Sequence, residues 1–235
     1  METRRMGAVS AVFYFLGHHP FLAMPLYPLV AWAIGALLAR LTRWRGWMFL
    51  GVPGLILAAM SPFFGSAVNA MFLNAVGTTG SAVIVHSEET SSTLNDNNIW
   101  YYQAVARTAD GRNVETDFDT MTAALYPWRN EIQIPPEGER FVVKYVPAFP
   151  RNIAIMVDQS PYGRQRLIAR DREPVETATA KLAAAPDDPK FRDDLRQALR
   201  EFIARHATDA DPALLATYRA RLAALDAGST TKRRD

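Results

Sequence analysis

Residues 21–39 read FLAMPLYPLVAWAIGALLA: nineteen residues without a single ionisable side chain. About 20 apolar residues cross the roughly 30 Å of bilayer hydrocarbon, so this run has the length of a membrane span. Pro25 and Pro28 fall in its first half, where they kink or delay the helix, as membrane helices tolerate. Tyr27 and Trp32 add apolar bulk. Working outward, a second uncharged run covers residues 46–85, and its apolar part, 47–76, reads WMFLGVPGLILAAMSPFFGSAVNAMFLNAV. Gly51, Gly54, Gly65, Ser66 and Ala67 are small residues of the kind that let membrane helices approach closely. Pro53 and Pro62 imply bends, while Asn69 and Asn74 suggest that the run reaches the interface, so the second span is taken as about 47–73. Burying both runs inside a water-soluble fold would need more covering chain than 235 residues supply.

Between the runs stands RLTRWRG, residues 40–46. Arg40, Arg43 and Arg45 beside Trp44 and Trp47 read as a cytoplasmic turn with tryptophans at headgroup level. The remaining chain then lies outside, which in a bacterium is the periplasm. Residues 6–19 are apolar but short. They suit an interfacial helix dipping in Phe13, Phe15 and Leu16, or a short inserted segment with Arg4 and Arg5 inside, or a cleaved signal segment without a small-x-small site.

Charge is distributed to match. Residues 1–76 carry five basic residues and one acid, 77–170 carry nine and eleven, and 171–235 carry twelve of each. The basic excess therefore flanks the apolar runs and leaves no basic face for nucleic acid, despite a pI near 9.0. The chain has no cysteine, which excludes disulfides, thiolate metal sites and a cysteine nucleophile.

Residues 77–170 have β character. Short apolar or alternating stretches occur at 81–86, 100–108, 113–118, 140–146 and 153–157. Asp110-Gly111 marks a hairpin turn, Glu137-Gly138 another, and Pro147 and Pro150 punctuate the last two. This spacing predicts a small barrel or sandwich, with the polar stretch 87–98 as an exposed, mobile connection. Residues 171–228 are helical. Asp188-Pro189 and Asp211-Pro212 pair an N-cap with proline at the first helical position. Phe191, Leu195, Leu199, Phe202 and Ile203 share one face, and Leu214, Leu215, Tyr218, Leu222 and Leu225 another, which predicts an αα-hairpin ending at Gly228. Residues 175–184 add a possible third helix, and 229–235 read as a disordered tail. The predicted fold class is a membrane α-helical hairpin plus an α+β soluble part.

The β region carries a pattern: a Tyr-rich strand, an Asp-Gly turn, a returning strand, then Gly138, Phe141-Val142-Val143, and Tyr145, Pro147 and Pro150, with an apolar strand following. Over about residues 78–158 it resembles an uncharacterised bacterial family of membrane-anchored proteins with a small extracytoplasmic β domain, a domain of unknown function. The usual form has Asn between the prolines where this chain has Phe149. The resemblance implies fold and location and brings no catalytic residues.

No cofactor, metal or catalytic site is read from the sequence. His18 and His19 are adjacent, about 100° apart on a helix, a poor chelate that suits a polar turn. His86 ends a strand beside Glu88 and Glu89, and His206 suits the end of a helix. Glu115, Asp117 and Asp119 alternate on one strand face, which reads as a solvated face before a cation site. Ser66 and Ser160 have no histidine near them in sequence, and no Gly-x-Ser-x-Gly or phosphate loop occurs. Trp100, Tyr101, Tyr102, Tyr126 and Trp128 concentrate the aromatics of the soluble part; core is the commoner role, a binding surface the functional one. The expected partners are the lipid bilayer and an envelope protein or a second copy. The first reading is therefore an envelope binding or scaffold protein. Alternatives are an immunity or stress protein against a toxin, and a hydrolase using His86 or the acidic stripe. A transport role sits poorly with spans that hold no charge.

Overall fold

The computed structural model describes residues 2–94, 96–129 and 131–231, and its described part is α+β, with a six-stranded mixed sheet. It divides into two compact units, residues 1–163 and 164–235.

The first unit opens with α1 (Glu2–His18), a short α2 (Pro20–Ala23) and α3 (Leu26–Thr42). The prolines act at the breaks. Pro20 opens α2, while Pro25 and Pro28 stand before and within the first turn of α3, where no intrahelical N–H is lost. Arg43 takes a left-handed conformation (φ 57°) and ends α3. A 3-10 helix (Arg45–Leu50) then leads into α4 (Gly51–Val76). Helix α3 packs closely on its neighbours where the sequence is small: a Cβ on Gly54 of α4 would stand 2.6 Å from Ala31 Cβ, and one on Gly35 would run into the Trp47 carbonyl oxygen of the 3-10 helix. Two helical segments, Pro20–Thr42 and Arg45–Val76, are long and apolar enough to cross a membrane. Only 11% and 17% of their most apolar windows are buried, so this chain does not cover them as a core would cover its central helices. Phe21 and Phe49 are about three-quarters exposed.

One residue, Gly77, separates α4 from the sheet, and its N–H donates to the Leu73 carbonyl (2.8 Å). The strands are β1 (Thr78–Leu94), β2 (Asn97–Arg107), β3 (Asn113–Asp119), β4 (Leu125–Tyr126), β5 (Arg140–Val146) and β6 (Phe149–Met156). Their order is β3-β2-β1-β5-β6-β4, antiparallel except for β4 against β6. Gly111 (φ 86°) and Gly138 (φ 79°) take the left-handed conformations their turns require. One face of the sheet buries Ile84, Ala104, Phe118, Phe141, Val143 and Ile155. Strands β3 and β6 share no ladder but are bridged by side chains: Thr116 Oγ1 donates to the Arg151 carbonyl (2.7 Å), and Arg151 pairs with Asp117 (2.7 Å).

Three sequence expectations change here. The stretch 87–98 is not a loose connection. Apart from Asn95, which lies outside the described residues, it is the far half of a β1–β2 hairpin, paired through Glu89–Trp100 and Leu94–Asn97 with a register shift between. Thr and Ser hydroxyls there suit a two-sided polar ribbon as well as a loop, so composition could not separate the two. Residues 6–18 belong to one helix packed on the sheet, with Gly7 against Ala148 and Ser10 fully buried, and His19 forms the break before α2. Arg4 and Arg5 thus stand at the sheet's end of the helices, not beside the 40–45 turn. Lastly, α4 and the sheet are one packed unit: Ala70 and Leu73 of α4 form a buried cluster with Ala124, Val146 and Ala154.

The second unit contains three helices. Helix α5 (Pro161–Ala184) starts in the first unit and carries the chain into the second, so it begins well before the expected 171 or 175. Its polar first turns hid it from an apolar-periodicity reading. Helix α6 (Pro189–Arg205) is capped as expected, with Asp188 accepting from the Lys190 N–H (2.8 Å). Helix α7 (Pro212–Thr231) is capped by Asp211, which accepts from Leu214 N–H (3.2 Å), and runs through Gly228. Of the expected disordered tail, 229–231 are helical and 232–235 lie outside the described residues. Val175, Leu195, Leu199, Phe202, Leu215 and Tyr218 form this unit's core.

Candidate functional site

The polar groups that α1, α4 and the sheet bury together are the least expected feature of the first unit. Asn69 on α4 and Asn152 on β6 exchange carboxamide hydrogen bonds (2.8 and 2.9 Å), and Asn152 Nδ2 also donates to the Ser10 carbonyl and hydroxyl (3.1 and 3.0 Å). All three residues are at most 2% exposed. A buried carboxamide without partners is costly, so the reciprocal pair specifies one seating of α4 on β6. By sequence Asn69 reads as an interface marker. The available signal was a carboxamide with Ser66 and Leu73 at helical spacing on its face of α4, which implies that the face is packed and the carboxamide needs a close polar partner.

Beside this network α1 ends on β3. His18 Nδ1 faces the Tyr14 carbonyl (3.0 Å) and Nε2 faces the Asp117 carbonyl (2.9 Å), with the ring stacked on Tyr14 at 3.8 Å. His19 is exposed and contacts Phe15 instead (5.4 Å). The two histidines therefore serve different neighbours. The acidic stripe is likewise divided. Asp117 pairs with Arg151, and Asp119 caps a turn by accepting from the Met121 and Thr122 N–H groups (2.8 Å each). Glu115 stays on the outer face near Tyr101 and Gln103, around an open depression of about 310 Å³. Among the described residues no group of three His, Asp or Glu side chains could hold a metal ion. His86 is half-exposed, with Nε2 3.7 Å from Glu88. Ser160 is fully buried, donating to the Met156 carbonyl (2.7 Å) and accepting from the Val142 N–H (2.9 Å), a structural clamp.

The five aromatic residues do not meet on one surface. Tyr102 packs into the sheet core and stacks on Phe118 (5.5 Å), and burial pushes its phenol above the ordinary value. Tyr101 points to the opposite face and lines the outer depression. Tyr126 packs against the cluster that joins α4 to the sheet. Trp100 is 40% exposed, and Trp128 is 59% exposed with its ring 6.1 Å from Phe64 of α4. Arg40, Arg43 and Arg45 stay at the α3–α4 turn, where Trp44 and Trp47 meet edge to face (5.5 Å).

The second unit carries its own polar centre. His206 is 3% exposed, with Nε2 3.0 Å from Asp171 and Nδ1 3.2 Å from Asp209. Arg205 also reaches Asp171 (2.8 Å). Burial by itself would raise the Asp171 carboxyl, but hydrogen bonds from Arg205 and His206 outweigh it and hold the group below its usual value. Nearby, α5 and α6 enclose an open groove of about 650 Å³ in which Arg170, Glu173, Lys181, Asp194 and Glu201 surround Phe202.

Comparison with protein-family models, with curated proteins and with solved structures returns no match. The functional reading therefore rests on the residues and their geometry.

Proposed function

We propose that this chain is a membrane-anchored binding or scaffold protein of the bacterial envelope, with the α3–α4 hairpin in the inner membrane and both the sheet and the three-helix unit on the periplasmic side. One observation carries the reading. The uncovered apolar faces of α2–α4 lie between an arginine turn at one end and the charged sheet domain at the other. Water is a poor solvent for those faces, and the positive-inside rule keeps the arginine turn in the cytoplasm.

Binding is favoured over catalysis because the polar groups with reactive side chains are occupied in structural roles: Asp117, Ser160 and His206 hold secondary elements together, and Asp119 caps a turn. The short Gly77 joint supports a scaffold held firmly at the membrane surface, not one swinging on a linker. The groove between α5 and α6, with charges of both signs around a phenylalanine, suits a polar segment of an envelope protein or of a second copy.

A reporter fused after Asp235 tests location: alkaline phosphatase should be active there and a folding-dependent cytoplasmic fluorophore dark. The opposite pattern would overturn the reading. A photocrosslinker at Lys181 in native membranes should then trap one defined protein adduct that Asp194→Arg weakens, whereas the absence of any adduct would remove the groove from the proposal.

A further inference from the structure

The hairpin arm and the segment after β4 present an apolar edge beside the upper end of the span. Strand β1 pairs with β5 only between Thr78 and Val83, and β2 meets β3 only from Tyr101 onward. Beyond those points the arm is a two-stranded ribbon, with no further strand on either side among the described residues. Its end nonetheless comes back to the helices: Leu94, Trp128 and Ile132 line one slot of about 170 Å³ together with Pro62 and Phe63 of α4. These three side chains are 41%, 59% and 52% exposed, and Phe63 is 66% exposed. The edge is thus a continuation of the uncovered apolar surface of α4.

Its height is set by Phe64, against which the Trp128 ring rests. From Trp47 to Phe64 the 3-10 and α rises give about 27 Å, close to the roughly 30 Å of hydrocarbon. Trp44 and Trp47 stand at one end of that interval and Trp128 at the other. Tryptophans at both boundaries are the usual arrangement of a membrane protein, and here the second one comes from the sheet domain. The charged side chains beside Trp128 have partners within the domain. Arg129 is neutralised by a two-bonded pair with Asp158 (2.6 and 2.7 Å), and Glu131 accepts from Gln133 (2.9 Å).

We infer that Leu94, Trp128 and Ile132 seat in the headgroup region of the outer leaflet, so that the β domain has a second contact with the bilayer besides its helices. This rests on the anchoring reading above. Apolar side chains reaching about 5–10 Å into the headgroup–acyl boundary would fill it as interfacial residues do. The Pro62 and Phe63 side of the slot would then face acyl methylenes, and the end of the ribbon would rest on lipid as well as on α4.

Because the chain has no cysteine, single-cysteine variants of the full chain can be labelled cleanly. Leu94→Cys, Ile132→Cys, Leu55→Cys on the exposed face of α4, and Asp110→Cys at the opposite end of β2 would each carry an environment-sensitive fluorophore. They would be reconstituted into phosphatidylethanolamine–phosphatidylglycerol nanodiscs, with and without lipid bearing a spin label near the headgroup, which reaches 94 and 132, or midway along an acyl chain, which reaches 55. Ser92→Cys substitutes should Leu94→Cys fail to fold. The seating predicts quenching at 94, 132 and 55, and none at 110. Quenching at 55 with 94 and 132 as silent as 110 would overturn the seating and leave the anchoring intact. No quenching at 55 would overturn the anchoring, and the seating with it.

Discussion

Asn152→Ala removes half of the reciprocal carboxamide pair and leaves the Asn69 donor and acceptor without their partner at 2% exposure. Each lost neutral hydrogen bond is worth about 1 kcal/mol, and the stranded carboxamide adds about 1–3 kcal/mol, so the single substitution should cost about 3–4 kcal/mol. For a unit of this size that lowers the melting temperature by about 6–16 °C. Asn69→Ala should cost about the same. The pair makes the sharper test, because removing both carboxamides strands neither. The double variant should cost about 4 kcal/mol, leaving a coupling energy of about 2–4 kcal/mol. Replacing both by leucine should recover part of that loss, since apolar pairs need no partners. Near-UV circular dichroism melts of the full chain in mild detergent, with Asn113→Ala on the exposed edge as control, would measure all four corners. A coupling below about 0.5 kcal/mol would refute the claim that this pair seats α4 on the sheet.

The three-helix unit should be acid-sensitive through Asp171. Its folded value lies below the unfolded one of about 4, so its contribution is complete above that value and is lost as pH falls through the folded value. Helicity melts at pH 7, 5 and 3 should show the loss mainly between the last two, and Asp171→Asn should lower stability at pH 7 and flatten the acid decline. In the hairpin, Gly54→Leu should push α3 off α4, because even a Cβ there meets Ala31 and Pro28 within 3 Å. Gly51→Ala, which meets nothing within 4 Å, should not, and limited proteolysis in detergent would separate the two. At the β2–β3 turn, Gly111→Ala should destabilise the sheet by about 1–2 kcal/mol, because its φ of 86° strains any Cβ; thermal melts with Gly17→Ala as control would show it.

Local and one-dimensional properties are legible in the amino-acid string. The absence of charge over residues 21–39 and 47–76 is such a property, and so are the arginine turn, the Asp-Pro caps of α6 and α7 and the turn at Gly111. Each depends on side chains within a few residues of one another, or on solvation along one element. Tertiary structure alone decided which distant groups meet. Asn69 finds Asn152 eighty-three positions away, His18 reaches Asp117 across ninety-nine, and Trp128 lands on Phe64. The same holds for residues 87–98, whose polar composition suits a loop until β2 supplies a ladder, and for α1, whose apolar stretch suits a membrane until β6 supplies a surface. Pairing and burial are relations between segments, and their energy appears only when the chain has brought both partners out of water together.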